Sequence, residues 1–219
     1  YEDNQNPSSA NKSLDVASTE AETKLRFDVN KNINGWKIAY GASAQLADYS
    51  NTTFNVIRKE IRDISGNLVQ PAVVANFTSP LNAFFKVGAF IQAGKRFVSN
   101  RLGISAGIRT DMNTFTNNGM NGLQTLSPRI SFSYVLADKW TWNSSAGIYY
   151  KIPPYTILGF AGNNKVLVNK NARYQRSNHY TTGLEFLPND GLRFTLEGFY
   201  KQYNHVPVSV RNGISLANL

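Results

Sequence analysis

The sequence predicts an all-β fold: an antiparallel transmembrane β-barrel segment of about eight meandering strands, with short periplasmic turns and long extracellular loops. Three observations carry that prediction. Apolar and polar residues alternate with a period of two through one segment after another, which gives each strand one apolar and one polar face. The segments are roughly ten residues long, the length of a tilted strand crossing a bilayer, and short turns alternate with long loops, so that all short turns fall at one end. Trp36, Trp140, Trp142, Tyr150 and Tyr200 lie near strand ends on the apolar parity, where aromatic girdles sit at membrane interfaces.

The elements follow in order. Tyr1 to Glu22 is polar, lacks apolar periodicity and reads as a loop. Leu25, Phe27 and Val29 then oppose Lys24, Arg26, Asp28 and Asn30. After the Asn- and Gly-rich turn Lys31 to Gly35, Trp36, Ile38, Tyr40, Ala42, Ala44 and Leu46 oppose Lys37, Gly41, Ser43 and Gln45. Ala47 to Asn82 reads as a long irregular stretch with mixed charges, a Ser65-Gly66-Asn67 turn signal, Pro71 and Pro80. Phe85, Val87, Ala89, Ile91 and Ala93 form the next apolar face, although Phe84 and Phe90 break the polarity. The short turn Val98 to Arg101 leads to Leu102, Ile104, Ala106 and Ile108, opposed by Gly103, Ser105, Gly107 and Arg109. Asp111 to Thr125 reads as a polar loop.

The clearest hairpin runs from Leu126 to Pro154. Ile130, Phe132, Tyr134 and Leu136 share one parity, as do Trp140, Trp142, Ala146, Ile148 and Tyr150, and Ala137 to Lys139 makes the turn. A long connection reaches about Asn171. Tyr180, Thr182, Leu184 and Phe186 then oppose Ser177, His179, Thr181 and Glu185. Asn189-Asp190-Gly191 is a hairpin turn signal. The last clear strand sets Leu192, Phe194, Leu196, Gly198 and Tyr200 against Arg193, Thr195, Glu197 and Lys201, and Asn204 to Leu219 reads as loop.

Composition narrows the function classes. The 219 residues carry 42% hydrophobic side chains and a formal charge of +9, with no cysteine, which removes disulfides, thiolate zinc sites and cysteine nucleophiles. The basic residues are spread over turns, loops and polar faces instead of one stripe, which argues against nucleic acid. No apolar run approaches a membrane helix, and no cleavable signal is present. A soluble β-sandwich also alternates, but the polar faces are too hydrophilic for its core, and the two-ended loop asymmetry favours the barrel.

Several motifs resemble a known family. Leu126-Ser127-Pro128-Arg129 leading into Ile130 to Tyr134, and then Gly147 to Pro153, resemble the later barrel strands of TonB-dependent outer-membrane receptors, in the style of the Bacteroidota. So do His179 to Glu185, with its Gly183-Leu184-Glu185, and Phe194 to Tyr203, with its Phe199-Tyr200-Lys201. The likeness is best from Gln124 to Pro207. It implies a Gram-negative outer-membrane receptor that imports a scarce nutrient, a metal chelate, glycan or similar small or oligomeric ligand, powered by the TonB complex. Outer-membrane lipid and lipopolysaccharide would surround it. Such barrels have about 22 strands around a plug. Here there is no recognisable plug or TonB-contacting segment, the strands are too few, and Ala217-Asn218-Leu219 lacks the family's terminal aromatic residue. The expectation is therefore an internal fragment in which residues 1–219 form part of one barrel domain. The alternative is a complete small outer-membrane barrel, an adhesin, porin-like protein or outer-membrane enzyme.

Candidate site residues fall in two groups. Lys151, Lys165, Lys170, Arg173 and Arg176 form a basic stretch on the long-loop side, suited to an anionic ligand, with Tyr155 and Phe160 offering rings to stack on it. Contact with lipopolysaccharide phosphates, or plain solvated charge, is the blander account of the same residues. Arg26, Arg109, Arg129, His179, Glu185, Arg193 and Glu197 fall on the polar parity and would face the lumen. His179 has neither a second His nor a third ligand nearby, so it reads as a hydrogen-bonding lumen residue, with no catalytic site, metal site or cofactor expected.

Overall fold

The computed structural model describes residues 12–79, 81–161 and 165–208. The strands are β1 (Leu14–Ile33), β2 (Trp36–Arg58), β3 (Ile61–Arg62), β4 (Leu68–Gln70), β5 (Val73–Thr78), β6 (Phe84–Phe97), β7 (Leu102–Asn113), β8 (Ser127–Ala137), β9 (Trp140–Lys151), β10 (Gln175–Asn189) and β11 (Leu192–Asn204). A 3-10 turn covers Gly122–Thr125, and a single helical turn, α1, covers Tyr155–Leu158. The main sheet has the linear order β1-β2-β6-β7-β8-β9-β10-β11, with β5 paired to β2, while β3 and β4 form a separate hairpin. Eight strands thus make an open antiparallel meander, as the alternation predicts.

Short turns close one end of the meander. Asn34 and Gly35 both take positive φ (49° and 79°), the geometry that a two-residue turn needs to match strand twist. Val98, Ser99 and Asn100 are all left-handed, and for the β-branched Val98 at φ 54° this is a strained position. Asn189 accepts from the Gly191 N–H through Oδ1 at 3.0 Å, which fixes the β10–β11 turn.

Registers place the predicted parities together. Ile130 pairs with Ala106 and Ala146, and Ala146 with Tyr180, which pairs in turn with Tyr200. The apolar positions of this face remain exposed: Leu25 at 76%, Ile130 at 52% and Leu196 at 75%. A soluble sandwich would have covered them. Near the short turns the same face carries an aromatic band. Trp36 meets Phe97 edge-on at 6.3 Å, Phe132 meets Trp142 edge-on at 4.8 Å, and Trp140 stacks on Phe186 at 4.4 Å. The Trp142 indole N–H donates to Thr182 Oγ1 at 2.8 Å.

Three sequence readings change. Tyr1 to Glu22 was expected to be loop, yet Leu14 to Glu22 belongs to β1; the part before residue 12 lies outside the described residues. Ala47 to Asn82 was expected to be irregular, yet β2 runs on to Arg58 and pairs with β5 from Thr52↔Thr78 to Arg58↔Val73. Both segments lack alternation because neither of their faces is consistently apolar. Their strand structure comes from backbone pairing and from Thr, Val, Ile and Phe content. Likewise β7 continues through Asn113, three residues into the expected loop.

By packing, the chain falls into two compact units. One comprises the described residues of Tyr1–Glu22, Ala47–Ala83 and Tyr155–Lys170; the other those of Thr23–Leu46, Phe84–Pro154 and Asn171–Leu219. The first unit has its own small core of Ala47, Tyr49, Leu81, Tyr155, Leu158 and Ala161. Ser79 Oγ donates to the Gly159 carbonyl at 2.8 Å, and Phe77 stacks on Phe160 at 5.5 Å. In the second unit the 114–126 connection is held by Asn113, whose Oδ1 accepts from the N–H groups of Phe115 and Thr116 at 3.0 and 2.8 Å. Phe84 packs on Phe115 at 5.5 Å, which accounts for one of the two phenylalanines that broke the β6 pattern.

Candidate functional site

The polar face of the second unit carries the candidate chemistry. It lines an open concavity of about 860 Å³ whose wall includes Gln92, Gly94, Ser105, Ser131, Asn143 and Thr181. These residues are small or neutral because cross-strand neighbours on this parity sit close, and charged side chains need space beside them. Elsewhere on this face glycine supplies that space. A Cβ on Gly88 would meet Asp111 Oδ1 at 2.7 Å, and one on Gly41 would meet Asp28 Oδ1 at 2.5 Å.

Two ion pairs lie in these openings, and a third joins β10 and β11. Arg109 donates to Asp111 through Nε at 2.7 Å and Nη2 at 2.5 Å. Arg26 donates from Nε to Asp28 at 2.5 Å, and its guanidinium lies 6.0 Å from the Phe90 ring, which accounts for the second phenylalanine out of pattern on β6. Arg193 donates from Nε to Glu185 at 2.9 Å. Glu197 lines the concavity near the short-turn end. Each arginine thus pairs with a carboxylate on its own strand or the adjacent one, a relation the sequence reading missed for Asp28 and Asp111. The signal was present as an i, i+2 spacing, which puts both groups on one face of a strand.

Arg129 and His179 are arranged differently. Arg129 lies over the Tyr149 ring at 4.3 Å, and Tyr149 lies against the His179 ring at 4.5 Å. Gly147 pairs with both Arg129 and His179, and His179 pairs with Lys201. Tyr149 and Lys201 were not singled out as site residues; only the register reveals that they join Arg129 and His179. Among the described residues there is no group of three or more His, Cys, Asp or Glu that could hold a metal ion.

The residues expected to form a loop site divide between the two units. Lys151, Arg173 and Arg176 lie in the second, with Arg176 Nε donating to Asn178 Oδ1 at 3.1 Å. Tyr155, Phe160, Lys165 and Lys170 lie in the first. Tyr155 is buried; its hydroxyl donates to Glu22 and its ring lies 6.1 Å from Tyr49. Burial, followed by the Glu22 carboxylate, pushes the Tyr155 phenol upward. Phe160 remains half exposed beside Phe77, and Lys165 takes a left-handed backbone at φ 59°.

Comparison with known proteins places this sheet in a family. The model described as "TonB dependent receptor-like, beta-barrel" matches residues 1–219. The chain belongs to the TonB-dependent receptor-like β-barrel family. A search of curated proteins found no match. Solved structures similar to this TonB-dependent receptor barrel include the copper transporter OprC, at TM-score 0.59 and 17% identity over 86% of this chain and 30% of that one. The siderophore receptor PirA from Pseudomonas aeruginosa aligns at TM-score 0.56 and 16% identity, over 85% of this chain and 32% of its own. A variant of the ferric enterobactin receptor PfeA from Pseudomonas aeruginosa aligns at 0.56 and 15%, over 85% and 27%. At such identities the likeness is one of fold. The chain spans about a third of the length of these structures. The family is one of receptors and transporters of the Gram-negative outer membrane, not of enzymes.

Proposed function

We propose that this chain forms one arc of the barrel wall in a TonB-dependent receptor that takes up a scarce nutrient across a Gram-negative outer membrane. The observation that carries this reading is the division of the sheet into two faces. Large apolar side chains stand exposed on one parity, and ion pairs and a polar-walled concavity lie on the other. Lipid against the first face and an aqueous or protein-filled lumen against the second satisfy both at once, since exposed leucine and isoleucine would otherwise cost roughly 25 cal/mol per Å² against water. The aromatic band by the short turns marks the periplasmic interface. The connections 59–83, 114–126 and 152–174 then lie at the cell surface, where the ligand is met and lipopolysaccharide phosphates lie beside the exposed bases. Energy from the TonB complex enters through a plug contributed by the rest of the receptor.

Surface labelling of the receptor that contains this chain tests the orientation. Single cysteines at Ile64, in the β3–β4 hairpin, and at Asp138, in the β8–β9 turn, are exposed to a membrane-impermeant maleimide on intact cells. Ile64→Cys should label and Asp138→Cys should label only after the outer membrane is permeabilised. The reverse pattern would overturn the assignment of loops to the outside.

A further inference from the structure

On the apolar parity of β8–β11 the side chains do not make an even surface. The row Tyr134↔Trp142↔Leu184↔Leu196 is large throughout. One step further from the short turns, Phe132↔Ser144↔Thr182↔Gly198 is small after its first member. The next row, Ile130↔Ala146↔Tyr180↔Tyr200, is large except at Ala146. The small positions form the floor of a cavity of about 350 Å³, walled by Ile130 and Phe132 on one side and by Tyr180 and Tyr200 on the other. The Trp142 row closes it toward the short turns, and Ala146 leaves it open toward the long loops.

The floor offers hydrocarbon a surface without loose polar groups. Thr182 Oγ1 accepts from the Trp142 indole at 2.8 Å, and Ser144 Oγ donates to the Thr181 carbonyl at 2.8 Å. Both hydroxyls are engaged, so an apolar chain laid over them strands neither. Gly198 gives the cavity depth: a Cβ there would meet nothing nearer than the Thr182 carbonyl at 4.0 Å. Toward the long loops the same parity turns polar. Arg176 Nε donates to Asn178 Oδ1 at 3.1 Å, and Asn178 Nδ2 donates to Gln202 Oε1 at 3.2 Å. From Arg176 to Thr182 is about 20 Å along β10, or roughly 14 Å along the membrane normal at a tilt near 45°. That is about half of a hydrocarbon core near 30 Å thick.

We propose that this surface seats one phosphorylated lipid of the outer leaflet, with its phosphate at Arg176 and the end of one acyl chain in the cavity. The guanidinium supplies charge-assisted donors at headgroup depth. The blind cavity lies one leaflet deeper, where a void would forfeit dispersion contacts and a chain end restores them. The inference rests on this parity facing lipid, and its test separates the two. The probe is a phosphatidic acid with a diazirine near the methyl end of one chain, in dioleoylphosphatidylcholine vesicles that hold the full receptor. After irradiation, peptide mass spectrometry locates the adducts. They should concentrate on Ser144, Ala146 and Thr182, and should not do so when the diazirine lies near the carboxyl end of the chain. In Ala146→Leu/Gly198→Leu that yield should fall on the order of fivefold, as expected when the chain end loses its packing. Arg176→Gln should lower it about threefold through the lost charge-assisted contact. Ala93→Leu, on the same parity of β6, should leave it unchanged. Heat-modifiable migration on a gel confirms that each variant is folded.

Equal yields in the wild type and Ala146→Leu/Gly198→Leu overturn the proposal, and an unchanged yield in Arg176→Gln overturns the seat for a phosphorylated lipid. An even spread of adducts over Ile91, Ile104 and Ile130 without a peak at Ser144 also overturns it, while the lipid-facing assignment stands. Adducts confined to Ser131, Ser145 and Thr181 would overturn that assignment and the seat with it.

Discussion

At Gly41 the polar face has no room for a side chain. A Cβ there would lie 2.5 Å from the Phe27 carbonyl oxygen and from Asp28 Oδ1. The carbonyl is backbone and cannot swing aside, so Gly41→Ala should overpack the β1–β2 pair and cost about 1–3 kcal/mol. The expected outcome is a lower temperature for loss of the heat-modifiable band in the intact receptor; an unchanged midpoint would show that β1 shifts freely. At this scale the sequence was most informative about parity. It put Arg26, Arg109, Arg129, His179, Glu185, Arg193 and Glu197 on one set of faces, because a period of two needs no knowledge of neighbours. It was silent on contacts between strands. That Tyr149 lies between Arg129 and His179 depends on register, which hairpin turns and bulges set and side-chain type alone does not.

Among the elements, the first unit is where structure departs most from sequence expectation. Residues 47–82 and 155–171 read as loop because Pro, Gly and mixed charge interrupt any period, yet Tyr49, Leu81, Tyr155 and Leu158 meet in a small core of their own. Alternation finds strands that separate two environments; it does not find strands held by backbone pairing with water on both sides. Tyr155 joins this core through its hydrogen bond to Glu22. Removing the hydroxyl in Tyr155→Phe should cost about 1–2 kcal/mol locally. Hydrogen exchange should therefore quicken at residues 155–161 and stay unchanged in β8 and β9. In the β3–β4 hairpin the Asp63 carboxylate accepts from the Asn67 and Ser65 N–H groups, each at 2.8 Å. These bonds, those from Asn67 foremost, hold the Asp63 carboxyl below its usual range. A lowered folded value means that the bonds contribute above the ordinary carboxylate range and are lost as pH falls through that lowered value. Acidification should speed exchange at the Asn67 amide relative to Asp63→Asn, beyond the intrinsic pH effect common to both.

Over the whole sheet, the two faces make opposite demands on the same substitution. Ile130 and Ser131 are adjacent in β8 and point to opposite sides. Arginine at Ile130 would face hydrocarbon near the middle of the strand and should destabilise the barrel by about 2–4 kcal/mol, while Ser131→Arg meets the polar concavity and should be tolerated. Unfolding by denaturant in lipid vesicles measures both. The all-β meander, its eight main strands and the grouping of short turns were legible because a bilayer imposes its thickness on strand length and its polarity on alternation. Ligand identity was not, since side-chain type and parity do not say which residues the register brings together.

The most direct test of the two-faced barrel is spin-label accessibility along β8 and β9 in the full receptor reconstituted in lipid. Nitroxides are placed one at a time from Arg129 to Leu136 and from Thr141 to Tyr150, and relaxation by oxygen is compared with relaxation by a water-soluble nickel chelate. The account predicts oxygen access peaking at Ile130, Phe132, Tyr134, Trp142, Ala146 and Ile148, with a period of two and opposite phase to the alternating positions. Uniform nickel access along both strands, or oxygen access peaking at Ser131, Ser133, Asn143 and Ser145, would contradict it.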